Sequence, residues 1–140
     1  MAFFTENDMI EYFPDLHEYG IQDFSNMIAK TDEDIIRLLR IEWWPTIPGR
    51  NRQDRMDSTK LKDSQLKRSC VYYCLQKYVL PKLTMWAVEG DSFQTQIVFY
   101  RNAFEEEFDQ AKRSLFYDFD DDGQFEDSEQ VIQPAQRLVR

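Results

Sequence analysis

The stretch FQTQIVFYRNAFEEEFDQAKRSL, residues 93–115, decides the fold of this chain. Its apolar residues recur at steps of three and four, which places them on one face of a helix. A continuous apolar stripe over about six turns is typical of a helix that packs in a core, and Asp91 is placed to cap its N-terminus. The stripe consists of Phe93, Ile97, Tyr100, Phe104, Phe108, Ala111 and Leu115.

Two helices are predicted in the first third of the chain. Thr5 and Asp8 form a capping pattern for a short helix that must end before Pro14. Apolar residues at helical spacing then predict a long helix over about 21–44. A second capping pattern inside that range leaves a break at 30–32 open.

A further long helix is predicted from about Lys60 to Val79, and Pro81 is expected to end or kink it. Its two cysteines lie four residues apart, a spacing poorly suited to a disulfide, so we expect reduced, buried thiols. Residues 45–58, with two prolines and a glycine, predict a long exposed loop before this helix. The residues expected to face the core are Leu66, Cys70, Tyr73, Cys74 and Tyr78.

The composition fits one helical domain. The chain has 140 residues, 42% of them hydrophobic, but only four glycines and five prolines. We therefore predict an all-α fold, a small bundle of about four helices of which two or three are long, with an extended C-terminal arm. Because 15% of the residues are aromatic, we also expect neighbouring subunits to cover some apolar surface.

Charge argues against general nucleic-acid binding, because the formal net charge is −9 and affinity for phosphates comes from lysine and arginine. Basic residues nevertheless cluster in 50–68. We expect Arg50, Arg52 and Arg55 in this segment to contact an acidic neighbour, although a simple solvated loop is the alternative.

Catalytic motifs are not evident. His17 is the single histidine, and the sequence has no nucleophile elbow, phosphate-binding glycine loop or zinc-ligand spacing. We therefore predict that the protein is not an enzyme. The sequence has no signal-peptide pattern and no run of about 20 apolar residues, so we expect a soluble protein made in the cytosol, without a membrane partner.

An acidic segment follows the last helix. Residues 118–129, DFDDDGQFEDSE, match the spacing of an EF-hand calcium loop, in which carboxylate oxygens alternate along a tight turn. Gly123 occupies the sixth place, where the chain must bend. The predicted Ca²⁺ ligands are Asp118, Asp120, Asp122, the Gln124 carbonyl, Glu126 through a water, and Glu129.

A simpler interpretation of these residues is an Asx-type turn with solvated carboxylates. Only half of a helix–loop–helix is expected, because Pro134 interrupts the residues after the loop. We predict a helical bundle over 1–117, an EF-hand-like loop over 118–129 and a docking arm over 130–140. The last helix of the bundle is expected to run directly into the loop.

Taken together, the helix order, the Trp43-Trp44-Pro45 helix end and the acidic turn followed by Arg137-Leu-Val-Arg140 resemble the head–tail connector (adaptor) proteins of tailed bacteriophages. The resemblance spans nearly the whole chain and is most specific in its C-terminal third.

The resemblance implies a ring, commonly of about twelve copies, between the portal protein and the next connector of the tail or neck. Double-stranded DNA would pass through its channel without specific binding, and the protein would be found in the virion neck after assembly in the host cytoplasm. In that family the C-terminal arm typically extends away from the bundle and binds the portal, and here we expect the arm to contact the portal or a neighbour. The residues that would do so here are Val131, Ile132, Arg137, Leu138, Val139 and Arg140.

Two other functions stay open. One is a calcium-responsive binding module with a single EF-hand-like loop, although calcium sensors usually pair two loops. The other is a bacterial helical scaffold. Ring assembly would favour the connector, and calcium-dependent exposure of apolar surface would favour the module.

Overall fold

The computed structural model describes residues 3–14, 23–47, 56–82, 90–119 and 124–125, with side chains from residue 94 onward in the last helix. The described residues form an all-α bundle, as predicted. Their only β-type pairing is an isolated antiparallel bridge between Leu61 and Tyr117. The four α-helices are α1 (Glu6–Tyr12), α2 (Ser25–Leu38), α3 (Lys67–Cys74) and α4 (Gly90–Arg113).

The predicted cap of α1 is present. The Thr5 hydroxyl accepts a hydrogen bond from the Asp8 amide, and the Asp8 carboxylate accepts one from the Thr5 amide at 2.8 Å. This capping box satisfies two amides at the start of the helix. The helix ends before Pro14, as expected, and buries Met9 in the core.

Helix α2 begins at Ser25, later than predicted, and runs without a break at 30–32. The Thr31 hydroxyl donates to the Met27 carbonyl at 2.8 Å, within the helix, instead of capping a new one.

Both long helices of the first two thirds widen into a π turn before a proline. α2 continues as Leu39–Trp43 and then as a 3₁₀ turn, Trp44–Thr46. α3 continues as Leu75–Val79 and then through residues 80–82. In each π turn the leucine carbonyl accepts from the amide five residues later.

An end or a kink was predicted at Pro81, and the π turn lies directly before this residue. Proline lacks an amide hydrogen, and its ring crowds the carbonyl four residues earlier in an α-helix. A π turn immediately before the proline shifts the hydrogen-bond register, so the chain stays helical through 80–82.

The start of the same helix is also corrected, from Lys60 to Lys67. Residues before it form two 3₁₀ turns, Ser58–Lys60 and Asp63–Gln65. The Asp57 carboxylate fixes the first turn by accepting from the amide and hydroxyl of Thr59 at 3.0 and 2.7 Å.

Helix α4 contains the predicted stripe except for Leu115, which lies two residues after the helix end, and it packs against α3. Tyr100, Phe104, Phe108, Ala111 and Leu115 are all less than 10% exposed, and Ile97 is half-buried. The side chain of Phe93 is outside the described part of the structure.

Asp91 lies within α4, not at its N-cap as predicted, because the helix already includes Gly90. The two helices run antiparallel, since Arg68 pairs with Glu107 and Tyr72 packs on Tyr100.

The predicted exposed loop over 45–58 is wrong at both ends. Ile47 and Met56 are buried, and the Arg40 guanidinium donates to the Met56 carbonyl at 3.0 Å. Residues 48–55, with Arg50, Arg52 and Arg55, lie outside the described residues.

The core contains more than half of the described aromatic residues. Trp43 and Trp44 are both buried, and Tyr73 and Tyr78 are half-buried. The large apolar side chains that stay exposed in the described part are Ile41, Val98, Phe99 and Phe125.

Cys70 and Cys74 are free and buried, as predicted. None of the helices in the described ranges has the length and hydrophobicity of a membrane span.

Candidate functional site

The candidate site lies at the base of the bundle, where α4 ends and the C-terminal residues depart. One side chain closes the end of the helix. The Gln65 amide group donates from Nε2 to the Ser114 carbonyl at 2.8 Å and accepts at Oε1 from the Phe116 amide at 2.9 Å. A single glutamine thus pairs with one backbone carbonyl and one backbone amide just after the end of α4.

Backbone pairing fixes the next residues. The Lys62 amide donates to the Phe116 carbonyl at 3.3 Å, and the Asp118 amide donates to the Lys60 carbonyl at 2.9 Å. Between these two bonds lies the bridge of Leu61 with Tyr117. The departing chain therefore leaves in an extended, hydrogen-bonded conformation, with its direction set by the segment before α3.

Tyr117 anchors this exit in an aromatic cluster. Its ring centroid lies 5.1 Å from Trp44, 6.3 Å from Trp43 and 4.7 Å from Phe119. Its hydroxyl accepts a hydrogen bond from the Asp57 amide at 3.1 Å. Because Tyr117 is only 5% exposed, each ring pair contributes packing in addition to burial, about 0.5–1.5 kcal/mol per pair.

The aromatic contacts continue past the exit. The ring of Phe125 lies 6.2 Å from that of Phe116, edge to face, and the Lys62 ammonium lies 4.8 Å from the Phe116 centroid. Phe125 is 39% exposed. An apolar ring and a cation therefore face outward where the C-terminal residues depart.

Two of the six predicted calcium ligands lie in the described part of the chain. Asp118 is 6% exposed and Gln124 is exposed. Among the described residues, no group of three or more His, Cys, Asp or Glu side chains is placed to hold a metal ion. Calcium binding stays a prediction, since the remaining ligands, Asp120, Asp122, Glu126 and Glu129, lie outside the described ranges.

The expectation that the last helix runs directly into the acidic loop is wrong. α4 ends at Arg113, and the extended residues before Asp118 pair with the segment around Leu61 instead. An EF-hand joins its loop directly to flanking helices, so the extended residues before Asp118 differ from that motif. The predicted arm residues are also outside the described part: Val131, Ile132, Arg137, Leu138, Val139 and Arg140.

The buried ionisable side chains have the properties of structural groups, not of reactive ones. Burial raises the pKa of the Cys74 thiol to about 12 and raises that of Cys70 well above its usual value, so both thiols stay protonated. Asp34 accepts hydrogen bonds from the hydroxyls of Tyr73 and Tyr78, which ties α2 to α3. Burial, and then the bond to Asp34, raise the pKa of Tyr73 to about 12.

Sequence reasoning missed the residues that build this site. Gln65 lies inside the helix that the sequence predicts from Lys60, and no motif marks Tyr117. The Trp-Trp-Pro end of α2 was the one available signal, because adjacent tryptophans need a large partner surface.

The chain has no recognised relative in the comparisons with known proteins. No protein-family model matches its sequence, and neither the curated proteins nor the solved structures contain a significant match.

Proposed function

We propose that this protein is a structural assembly subunit, a head–tail connector adaptor that forms a ring between a portal and a tail and carries a C-terminal docking arm. The observation that carries the proposal is the anchored exit of the chain at Tyr117. The resemblance to head–tail connector proteins in helix order and in the C-terminal third is the reason for proposing this particular assembly.

The anchored exit supports an arm that docks on another protein. A segment that binds a partner must be ordered on binding, and a fixed starting direction reduces that entropic penalty. Here Gln65, Tyr117 and the pairing of Lys60 with Asp118 fix the chain on three sides.

The surface charge suits a channel for DNA. The chain carries a formal net charge of −9, and like charge keeps phosphates from adhering to a wall. On α4, Glu105 and Glu106 are exposed and Glu107 is half-exposed. Calcium, if the loop at 118–129 binds it, would have a structural role and would fix the arm relative to the bundle.

Negative-stain electron microscopy over a concentration series tests the proposal. We expect rings with a central channel for the wild-type chain and for a control variant, Gln110→Ala, which changes an exposed side chain on α4. Gln65→Ala frees the end of α4, so we expect fewer closed rings at the same concentration.

The same series in calcium and in chelator separates the alternatives. Rings that depend on calcium would add a structural ion to the proposal. Monomers under every condition, with calcium-dependent binding of a hydrophobic dye, would contradict the connector and favour the calcium-responsive module.

A further inference from the structure

An apolar groove lies between α2 and the start of α1. It has a volume of about 610 Å³, and Phe4, Ile28, Ala29 and Ile36 form its apolar surface. None of its lining residues belongs to the anchored exit at Tyr117. The groove is therefore a second surface, separate from that exit.

The ionisable side chains that line the groove are all acids, namely Glu6, Asp32 and Glu33. Asp32 is 6% exposed, and its Oδ1 accepts a hydrogen bond from the Phe3 amide at 3.2 Å. No described residue donates a hydrogen bond to its Oδ2, and this oxygen is not one of the fully buried atoms that lack a partner. Oδ2 is therefore open to the groove, where it suits a ligand with a positively charged donor.

The single open oxygen favours an ammonium group over a guanidinium group. Arginine presents a planar fork that pairs best with both oxygens of a carboxylate, whereas a lysine ammonium acts as a point charge. The aliphatic stem of a lysine also packs along apolar surface while its ammonium reaches a polar partner. An apolar groove with one open carboxylate oxygen thus fits a lysine side chain.

The groove is about as wide as one extended chain. It runs along α2 from Ser25 to Ile36, a rise of about 16 Å. Its volume over that length gives a cross-section of about 40 Å². A helix with its side chains is about 10–12 Å wide and would not enter, so we expect an extended segment.

The spacing of the groove residues defines the neighbours of this lysine. Ile28, Asp32 and Ile36 lie four residues apart on one face of α2, which separates them by about 6 Å each. In an extended chain, alternate side chains point the same way at intervals of about 6.6–6.8 Å. A lysine with an apolar residue two positions before it and another two positions after it therefore matches the three groove residues.

A second copy of this chain does not offer that pattern in an accessible form. Lys77 is the one lysine with apolar residues at both of these positions. Its neighbours Leu75 and Val79 are fully buried within the π turn that follows α3. The segment must therefore come from a different protein.

We propose that this groove binds an extended segment of another protein in which a lysine has apolar residues two positions before and two positions after it. The lysine ammonium would pair with Asp32, and the two apolar side chains would pack on Ile28 and Ile36. This contact goes beyond the connector function and does not depend on it.

Fluorescence anisotropy on the full-length protein tests the groove with the peptide acetyl-SLSKSLS-amide, labelled with an uncharged dye. We expect norleucine in place of the lysine to weaken binding about tenfold, because the ion pair is lost. The shuffled peptide acetyl-SLKSSLS-amide keeps the charge but moves the lysine to the opposite side of the extended chain, so it should weaken binding as much. Equal binding of the three peptides, or no binding of the lysine peptide, would overturn the proposal.

Protein variants locate the contact. Asp32→Asn removes the charge and keeps an oxygen for the Phe3 amide, so we expect about tenfold weaker binding. Ala29→Leu fills the groove and should also weaken binding, whereas Asn26→Leu enlarges an exposed side chain of α2 outside the groove and should not. Glu11→Gln, on α1 and outside the groove, is the charge control and should bind as the wild type does. Wild-type affinity of the asparagine variant, or equal effects of the two leucine variants, would contradict this site.

The pH dependence gives a second readout. Cys70 and Cys74 are neighbours of Asp32 in the core, Glu6 and Glu33 line the groove with it, and the positive charge of the amino terminus also acts on it. Because burial raises the pKa of Asp32 to about 6, about nine-tenths of this carboxyl is protonated at pH 5. We expect the lysine peptide to bind the wild type about tenfold more weakly at pH 5 than at pH 7.5, and Asp32→Asn to show no such loss. The same loss in both proteins would overturn the pairing with Asp32.

Sedimentation velocity tests whether a second copy fills the groove instead. We expect Asp32→Asn and Ala29→Leu to sediment as the wild type does, because the chain has no accessible lysine of the required pattern. A wild type that associates, and loses that association in both variants, would overturn the proposal in favour of a second copy.

Discussion

Asp32 should make the stability of this protein decrease as the pH rises through the mildly acidic range. The residue is 6% exposed on α2, and its carboxylate accepts a hydrogen bond from the Phe3 amide at 3.2 Å. Burial raises the pKa of this carboxyl from 3.8 to about 6, although the Phe3 bond partly opposes the rise. The buried thiols Cys70 and Cys74 are its neighbours in the core, and the positive charge of the amino terminus opposes the rise in pKa only in part.

The sign follows from proton binding. Between pH 3.8 and about 6 the folded protein holds the Asp32 proton more tightly than the unfolded chain does. Burying Asp32 therefore destabilises the fold least below pH 3.8, where the carboxyl is protonated in both states. The contribution of Asp32 to the free energy of unfolding falls as the pH rises to about 6 and then stays level.

The full shift in pKa corresponds to about 3 kcal/mol, and we halve this to about 1.5 kcal/mol because Asp32 lines a surface groove that admits water.

Asp32→Asn removes the charge and keeps an oxygen for the Phe3 amide. We expect urea unfolding to show that the variant is about 1.5 kcal/mol more stable than the wild type near pH 7.5, and that the difference shrinks toward zero near pH 4. Glu33→Gln changes the adjacent, exposed carboxylate and should shift stability by less than about 0.5 kcal/mol. An asparagine variant that is less stable at pH 7.5, or equally more stable at both pH values, would refute the reasoning.

Four further predictions address the base of the bundle, the thiols and the acidic loop. Gln65→Ala should lower the free energy of unfolding by about 1–3 kcal/mol in urea, because two backbone groups lose their partner. Tyr117→Phe removes one hydrogen bond and keeps the ring, so we expect a loss of only about 1 kcal/mol, and a loss as large as that of an alanine variant would contradict the assigned role of the ring. Cys70 and Cys74 should react with a thiol reagent only as fast as the protein unfolds, and rapid labelling in native buffer would contradict their burial. If the loop at 118–129 binds calcium, titration calorimetry should detect it, and alanine at positions 118 and 129 should abolish the signal without changing the helix content.

The sequence predicted those elements whose causes are local. The capping box of α1 involves two residues three apart, and the stripe of α4 repeats over many turns. Each signal depends on neighbours along the chain, so it could be recognised without knowing the fold.

The missed features depend on distant residues. The start of α3 moves from Lys60 to Lys67 because Leu61 pairs with Tyr117, which is more than fifty residues away. Gln65 has a special role only because Ser114 and Phe116 lie beside it. Local propensity favoured a continuous helix here, and tertiary pairing overrode it.

The geometry before Pro81 depends on more than local propensity. An end or a kink of the helix was expected at Pro81, because an α-helical register leaves no room for its ring. The π turn before it supplies that room, and periodicity along the chain gives little indication of a single π turn.

The π turn at the end of α2 makes the base of the bundle sensitive to chain length. A π turn holds one residue more than an α-helical turn, and successive residues of a helix differ by about 100° in direction. Deleting one residue between Leu39 and Pro45 would therefore rotate Trp43 and Trp44 away from Tyr117, even though every remaining side chain is unchanged. Chains that share this base should thus preserve the six-residue interval from leucine to proline, seen here at 39–45 and again at 75–81, more strictly than the residues inside it.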